Sequence, residues 1–169
     1  LYQQYDTFGP NQDIFPNPKN GDSLVYNWSR DNYGPLYMPK SGDKIALMMP
    51  NLLQYPIALF GALRAGLVVV NTNPLYTPRE MLHQFTDSGV KAIVIAENFA
   101  SNLEKILGDT QIKTVMVTSI GGMLGFFKGC VTNFVVRRIK KMVPPFDIPN
   151  TVKFTDAIKE GKKFTIKSF

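Results

Sequence analysis

The residues that could do chemistry in this chain are few and lie far apart. His83 is the single histidine. A general base or a metal ligand needs partner side chains around the imidazole. His83 sits between Leu82 and Gln84 in a stretch of helical pattern, with no such constellation in sight, so a structural or surface role is expected. Cys130 is the only cysteine, which excludes an internal disulfide and a cysteine-rich zinc site. No histidine neighbours it in sequence, and it reads as a buried or inert thiol. The glycines form neither a G-x-G-x-x-G after a strand nor a G-x-x-x-x-G-K-[ST] loop. Gly121, Gly122 and Gly125 are crowded by apolar residues and read as a flexible surface loop rather than a phosphate cradle. No residue is assigned a catalytic, cofactor-binding or metal-binding role.

A basic run near the C-terminal end is more informative. Phe134, Val135, Ile139, Met142 and Val143 are apolar, Arg137, Arg138, Lys140 and Lys141 are cationic, and no acidic residue occurs between Gly121 and Pro145. The pattern over residues 131–143 reads as a basic helix ended by Pro144-Pro145. A helix with apolar and cationic sides can lie in the headgroup region of an anionic membrane. Phe134, Arg137, Arg138, Ile139, Lys140 and Lys141 are the candidate membrane-surface residues. The plainer alternative is a surface helix with its apolar side on the sheet and its charges in water. A net charge of +6 and a pI of about 9.4 favour anionic partners without choosing among them. No nucleic-acid module pattern accompanies the charge, and no nucleic acid partner is expected.

The elements that must position these residues are regular from Lys44 onward. Residues 44–49 (KIALMM) read as a buried strand broken by Pro50, with Asn51 as a helix cap. Leu52, Tyr55, Leu59, Phe60 and Leu63 then recur at helical spacing; Pro56 places the regular start near Gln54, and Gly66 suits the end. Residues 67–71 (LVVVN) are a second strand. Thr77-Pro78-Arg79-Glu80 reads as a capping box with proline at the first helical position, followed by Met81, Leu82 and Phe85 on an apolar side and a stop at Ser88-Gly89. Residues 92–96 (AIVIA) are a third strand, 98–107 a third helix with Phe99, Leu103, Ile106 and Leu107 inward, and 114–118 (TVMVT) a fourth strand. Residues 152–154 read as a further short strand, with a helix over 156–160 capped by Thr155. Strand and helix in alternation predict an α/β fold: a parallel sheet, part of a domain, with covering helices. The short apolar strands suit a sheet buried on both faces.

Residues 1–40 differ. They are rich in tyrosine and proline, with apolar residues at neither helical nor strand spacing. They read as an irregular arm with one short strand at residues 23–28, preceding a domain over 41–169. Leu1 to Pro10 hold no basic segment followed by an apolar run, so no signal peptide is expected. No apolar stretch approaches the roughly 20 residues of a membrane span.

The run from Gly42 to Gly89 closely resembles the N-terminal region of bacterial long-chain fatty acid–CoA ligases, members of the adenylate-forming superfamily. The residues that carry the resemblance are Met49-Pro50-Asn51, Gly61-Ala62-Leu63-Arg64-Ala65-Gly66 and Asn73-Pro74-Leu75-Tyr76-Thr77-Pro78-Arg79-Glu80. It extends, more weakly, through Ala92 to Ala96, Phe134-Val135-Val136 and Met142-Val143-Pro144. It implies a parent enzyme that joins a fatty acid to coenzyme A with ATP and Mg²⁺ through an acyl-adenylate. It also implies a cytoplasmic location, with peripheral contact at the inner face of the membrane. The family's Ser/Thr/Gly-rich phosphate loop ending in Pro-Lys-Gly, its Tyr-Gly-x-Thr-Glu motif and its C-terminal lysine have no counterpart in these 169 residues. The resemblance therefore implies scaffold rather than catalytic residues, a chain inactive by itself, and poor binding of ATP or Mg²⁺ by this segment. Two rival readings are a non-enzymatic α/β module docking on anionic membranes and a dinucleotide-binding oxidoreductase domain. The second lacks its glycine fingerprint, and fold alone does not set function.

Overall fold

The structure, a computed structural model, describes residues 39–163. The arm at residues 1–38, with the short strand expected at 23–28, lies outside the described residues. Five strands form one parallel sheet: β1 (Lys44–Met48), β2 (Val68–Asn71), β3 (Ala92–Ala96), β4 (Thr114–Thr118) and β5 (Val152–Lys153). Their order is β2-β1-β3-β4-β5. Ile45 lies opposite Val69 on one side and Ala92 on the other, and Val94 lies opposite Met116. The helices are α1 (Gln54–Arg64), α2 (Pro78–Ser88), α3 (Ala100–Glu104), α4 (Phe126–Phe134) and α5 (Phe154–Gly161).

The strand order dictates which face each helix covers. The chain passes from β1 outward to β2, then returns across β1 to β3. Right-handed crossovers in opposite directions put α1 and α2 on opposite faces. The core divides accordingly, because successive strand residues point to opposite sides. Ala46, Met48, Ile93 and Ile95 pack with Met81 and Phe85 of α2 and Leu103 of α3. Ile45, Leu47, Ala92 and Val94 pack with Ala58 and Ala62 of α1 and Phe154 of α5. Burying each large side chain of this core stabilises the fold by about 1.5–3 kcal/mol.

Local chemistry sets the helix ends. At the start of α2 the Thr77 hydroxyl accepts from the Glu80 N–H at 3.4 Å, and a Glu80 carboxylate oxygen accepts from the Thr77 N–H at 2.8 Å. Pro78 holds the first helical position and Gly89 closes the helix in the left-handed region, at φ 65°. In α1, Pro56 is the third residue, where its missing N–H costs no intrahelical bond.

Four expectations need correction. Asn51 does not cap α1: Leu53 occupies that position without a side-chain cap, and Leu52 N–H already bonds the Pro50 carbonyl. The third helix is broken into a 3₁₀ turn (Glu97–Phe99), α3 and a second 3₁₀ turn (Leu107–Asp109). Asn98, Ser101, Asn102 and Gly108 are weak helix formers that explain the breaks. The basic helix begins earlier and ends earlier than residues 131–143: α4 passes into a π-turn (Val135–Ile139) and stops before Lys141, whose φ is 49°. Thr155 lies inside α5, which starts at Phe154.

Candidate functional site

In an open parallel sheet, ligand crevices form beyond the carboxyl ends of the strands, where the winding direction reverses. Here the reversal falls between β1 and β3. The residues following the strands at that edge are polar: Gln54 after β1, Thr72 after β2 and Glu97 after β3 are buried, and Asn98 after β3 and Ser119 after β4 are half-buried.

All but Thr72 are held by a side-chain contact. Gln54, 1% exposed, donates through Nε2 to the Ser119 carbonyl at 2.9 Å. Glu97 is buried after an all-apolar strand, and a buried carboxylate needs a partner. Arg137 of the π-turn supplies it, with Nε to Oε1 at 3.2 Å and a terminal nitrogen to Oε2 at 2.5 Å. The bond to Glu97 raises the Arg137 pKa further above its ordinary value. Asn98 Nδ2 donates to the Met142 carbonyl at 2.9 Å. Asn133 of α4 accepts from the Gly121 N–H at 2.9 Å and donates to Ser119 Oγ at 3.3 Å. Gly121 lies so close to Gly129 that a Cβ there would meet the Gly129 carbonyl at 2.6 Å. The glycine-rich stretch is thus a close-packed junction, not a loose loop.

Three side-chain oxygens at this edge are buried without a hydrogen-bond partner among the described residues: Gln54 Oε1, Thr72 Oγ1 and Asn98 Oδ1. Two are amide carbonyls that only accept, so the edge suits a group that offers N–H or O–H donors. An apolar groove of about 420 Å³ opens beside it, walled by Leu52, Leu53 and Pro56 on one side and Ile120 and Leu124 on the other. The Glu97 carboxylate at this edge is answered by Arg137. Among the described residues no three His, Cys, Asp or Glu side chains gather to hold a metal ion.

The candidate residues of the basic run fall into two groups. Phe134 and Ile139 are exposed, as are Arg138, Lys140 and Lys141, and Phe126, 90% exposed, and Phe127 extend the apolar patch. Arg137 differs, since its charge is paired with Glu97. Cys130 lies on the same helix and is exposed, so of the expected buried or inert thiol the buried alternative does not hold. His83 lies with its Nδ1 3.2 Å from Asp87 Oδ2, both side chains largely in water. The pair borders a groove of about 940 Å³ that also touches Arg79 and Gln84. No described helix is long and apolar enough to cross a membrane.

Gln54, Thr72, Glu97 and Asn98 carry no motif and escape a reading by motif. Their position was available as a signal, because each follows closely on an apolar strand.

The AMP-binding enzyme family model matches residues 39–133, more than half of the chain and most of this sheet. The chain belongs to the AMP-binding enzyme family. Among individual relatives, the long-chain-fatty-acid–CoA ligase of Escherichia coli O6:H1 is 56% identical over 122 residues, 72% of this chain and 22% of the relative. The ligase of the same name from Haemophilus influenzae is 56% identical over 121 residues, again 72% and 22%. A solved long-chain-fatty-acid-CoA ligase from Archaeoglobus fulgidus aligns at 21% identity and a TM-score of 0.46, over 56% of this chain and 18% of its own. The chain thus spans about a fifth of the length of the curated relatives it matches. The matched family segment runs through both crossovers of the switch point, β1–α1–β2 and β2–α2–β3, and on into α4.

Proposed function

We propose that this chain is the opening β/α scaffold of a long-chain fatty acid–CoA ligase, which converts fatty acid, ATP and coenzyme A to acyl-CoA, AMP and diphosphate. The identity of 56% to relatives bearing that name carries the reading. In it, the carboxyl edge around Gln54, Thr72 and Asn98 is a wall of the binding region. ATP, Mg²⁺ and the reacting groups are held elsewhere in the parent. The 169-residue chain by itself forms no acyl-CoA, because its sequence contains no phosphate loop. The test is a graft. The E. coli relative carries this chain's matched segment in place of its own 122 residues, and acyl-CoA formation is assayed. Activity within about tenfold of the parent supports the reading. A soluble, folded graft with no activity overturns it, as does acyl-CoA formation by the isolated chain.

A second reading concerns location, and one observation favours it. Phe126, Phe127, Val131, Phe134 and Ile139 are exposed together, with Lys128, Arg138, Lys140 and Lys141 among them and no acidic residue in the segment. Such a surface suits the interface of an anionic membrane, where each cation contributes about 1 kcal/mol. The parent would then rest peripherally on the inner face of the membrane. Flotation with phosphatidylglycerol-containing vesicles at low salt tests this. Binding that falls when Lys128, Arg138, Lys140 and Lys141 are neutralised together supports it, and absence of binding removes it.

A further inference from the structure

We propose that Glu97 is an internal counter-ion that withholds Arg137 from the basic, aromatic surface of α4 and the π-turn, and that releasing this pair tightens the grip of that surface on an anionic membrane. The inference rests on the peripheral reading of that surface and adds its regulation. Five cations lie between Gly121 and Pro145: Lys128, Arg137, Arg138, Lys140 and Lys141. Among the described residues, Arg137 alone of these enters an ion pair. The Arg137 side chain is 53% exposed and that of Glu97 5%, so one end of the pair reaches water and the other does not. Arg137 stands three residues from Phe134 and three from Lys140, both exposed, spacings that bring side chains toward one side of a helix. Its long stem lets the charge turn outward without moving the backbone.

The backbone around the pair is held out of regular helix. Lys140 N–H donates to the Val135 carbonyl, five residues back, at 2.8 Å, and Met142 N–H to that of Val136, six back, at 3.0 Å. Lys141 takes a φ of 49°, which a residue other than glycine adopts only at a cost. Two consecutive residues after β3 hold this turn in place: Glu97 grips Arg137, and Asn98 donates to the Met142 carbonyl. Such π-turns are frequent at functional sites. Asn98 restrains only backbone, whereas Glu97 also hides a charge. A buried ion pair adds little net stability, because desolvation offsets the attraction, so the hidden charge is the pair's distinctive product. One added cation at an anionic surface raises binding about fivefold. An unpaired buried carboxylate costs more than that gain, so the membrane alone leaves the pair shut and the wild-type chain docks with the other four cations. Glu97 also stands at the carboxyl edge. A donor there that drew its carboxylate away would release Arg137 to the surface, and the coupling is reciprocal.

The experiment is a flotation titration of the 169-residue chain with phosphatidylglycerol-containing vesicles at low salt. Glu97→Gln keeps the size of the side chain, leaves no charge buried, and is expected to tighten binding about fivefold. The double variant Glu97→Gln with Arg137→Gln should return to within about twofold of wild type. Glu104→Gln changes the net charge equally from an exposed position on α3 and should also stay within about twofold. Circular dichroism checks that each variant is folded. Should Glu97→Gln not fold, Glu97→Asp replaces it: the net charge stays at +6, the carboxylate is one methylene shorter, and binding should rise at least about twofold. No gain in the Glu97 variant, a gain kept in full by the double variant, or an equal gain with Glu104→Gln would each overturn the inference. The vesicles keep the two ideas apart. Wild type and Glu97→Gln floating equally sinks the withheld charge alone, while failure of both to float sinks the peripheral reading and this inference with it.

Discussion

α1 and α2 are both eleven residues long and cover opposite faces of one sheet, yet they are built in opposite senses. α2 turns its large residues inward, with Met81 and Phe85 almost wholly buried, and shows water Arg79, Glu80, His83 and Asp87. α1 turns Ala58 and Ala62 inward with half-buried Tyr55 and Leu59 beside them, and shows water Ile57, Phe60 and Leu63, continued by Leu53 at its cap. Burial against the sheet explains the large residues of α2. For α1 it explains the alanines, Tyr55 and Leu59, and not the exposed stripe. The pair teaches that amphipathic direction, and not apolar content, decides what a helix on a sheet shows to water. α2 shows a charged face and α1 an apolar one.

The comparison can be broken most forcefully at Phe85. Its ring lies in the core between α2 and the strands. Phe85→Ala should cost about 3–5 kcal/mol, combining lost burial with a cavity. Urea denaturation of the described domain would measure it. A loss below about 1 kcal/mol would mean that α2 does not anchor this face. On α1 the complementary change is enlargement. Ala62→Leu should cost about 1–3 kcal/mol, because the small residues set the helix-to-sheet distance. A neutral result would show that α1 floats on the sheet and that its inward alanines carry no packing role.

A smaller effect sharpens the picture at the start of α2. Thr77→Ala removes the hydroxyl half of the capping box and should cost about 1 kcal/mol at neutral pH. The Glu80 pKa is lowered by its bonds to the Thr77 backbone N–H and then hydroxyl. A lowered carboxylate pKa contributes stability above the ordinary glutamate range, and that contribution is lost as pH falls through the lowered value. The gap between wild type and Thr77→Ala should therefore be widest near neutrality and narrow in acid. A gap independent of pH would show that the Thr77 hydroxyl takes no part in holding the Glu80 carboxylate.

What sequence could show about this molecule follows from which interactions are local. The capping box, Pro78, the αL glycine at Gly89 and the strands at Ala92–Ala96 and Thr114–Thr118 rest on neighbours within a few residues, and they stand where the pattern puts them. The alternation of strand and helix implied a parallel sheet, while the strand order depends on pairings such as Ile45 with Ala92 that no local pattern encodes. The resemblance at Gly42 to Gly89 pointed to the family on short motifs, and the matched region of the family model contains them. The carboxyl edge was illegible for the same reason as the strand order. Glu97 meets Arg137 across 40 positions and Gln54 meets Ser119 across 65. The basic run misled in one respect, because composition counts Arg137 with its neighbours and cannot see that a buried carboxylate claims it.

The smallest effect on stability tests the comparison most cleanly. Phe60 is the most exposed large residue of α1, so the folded domain gains little from its ring. Phe60→Ser should change the unfolding free energy by no more than about 0.5 kcal/mol, against the several expected at Phe85. Its effect should appear instead in association. A contiguous exposed apolar stripe promotes contact between copies. Sedimentation velocity over a concentration series should show the isolated wild-type chain associating and Phe60→Ser associating less. A large stability loss in Phe60→Ser would place the ring inside this domain's own core, and the contrast with α2 would lapse.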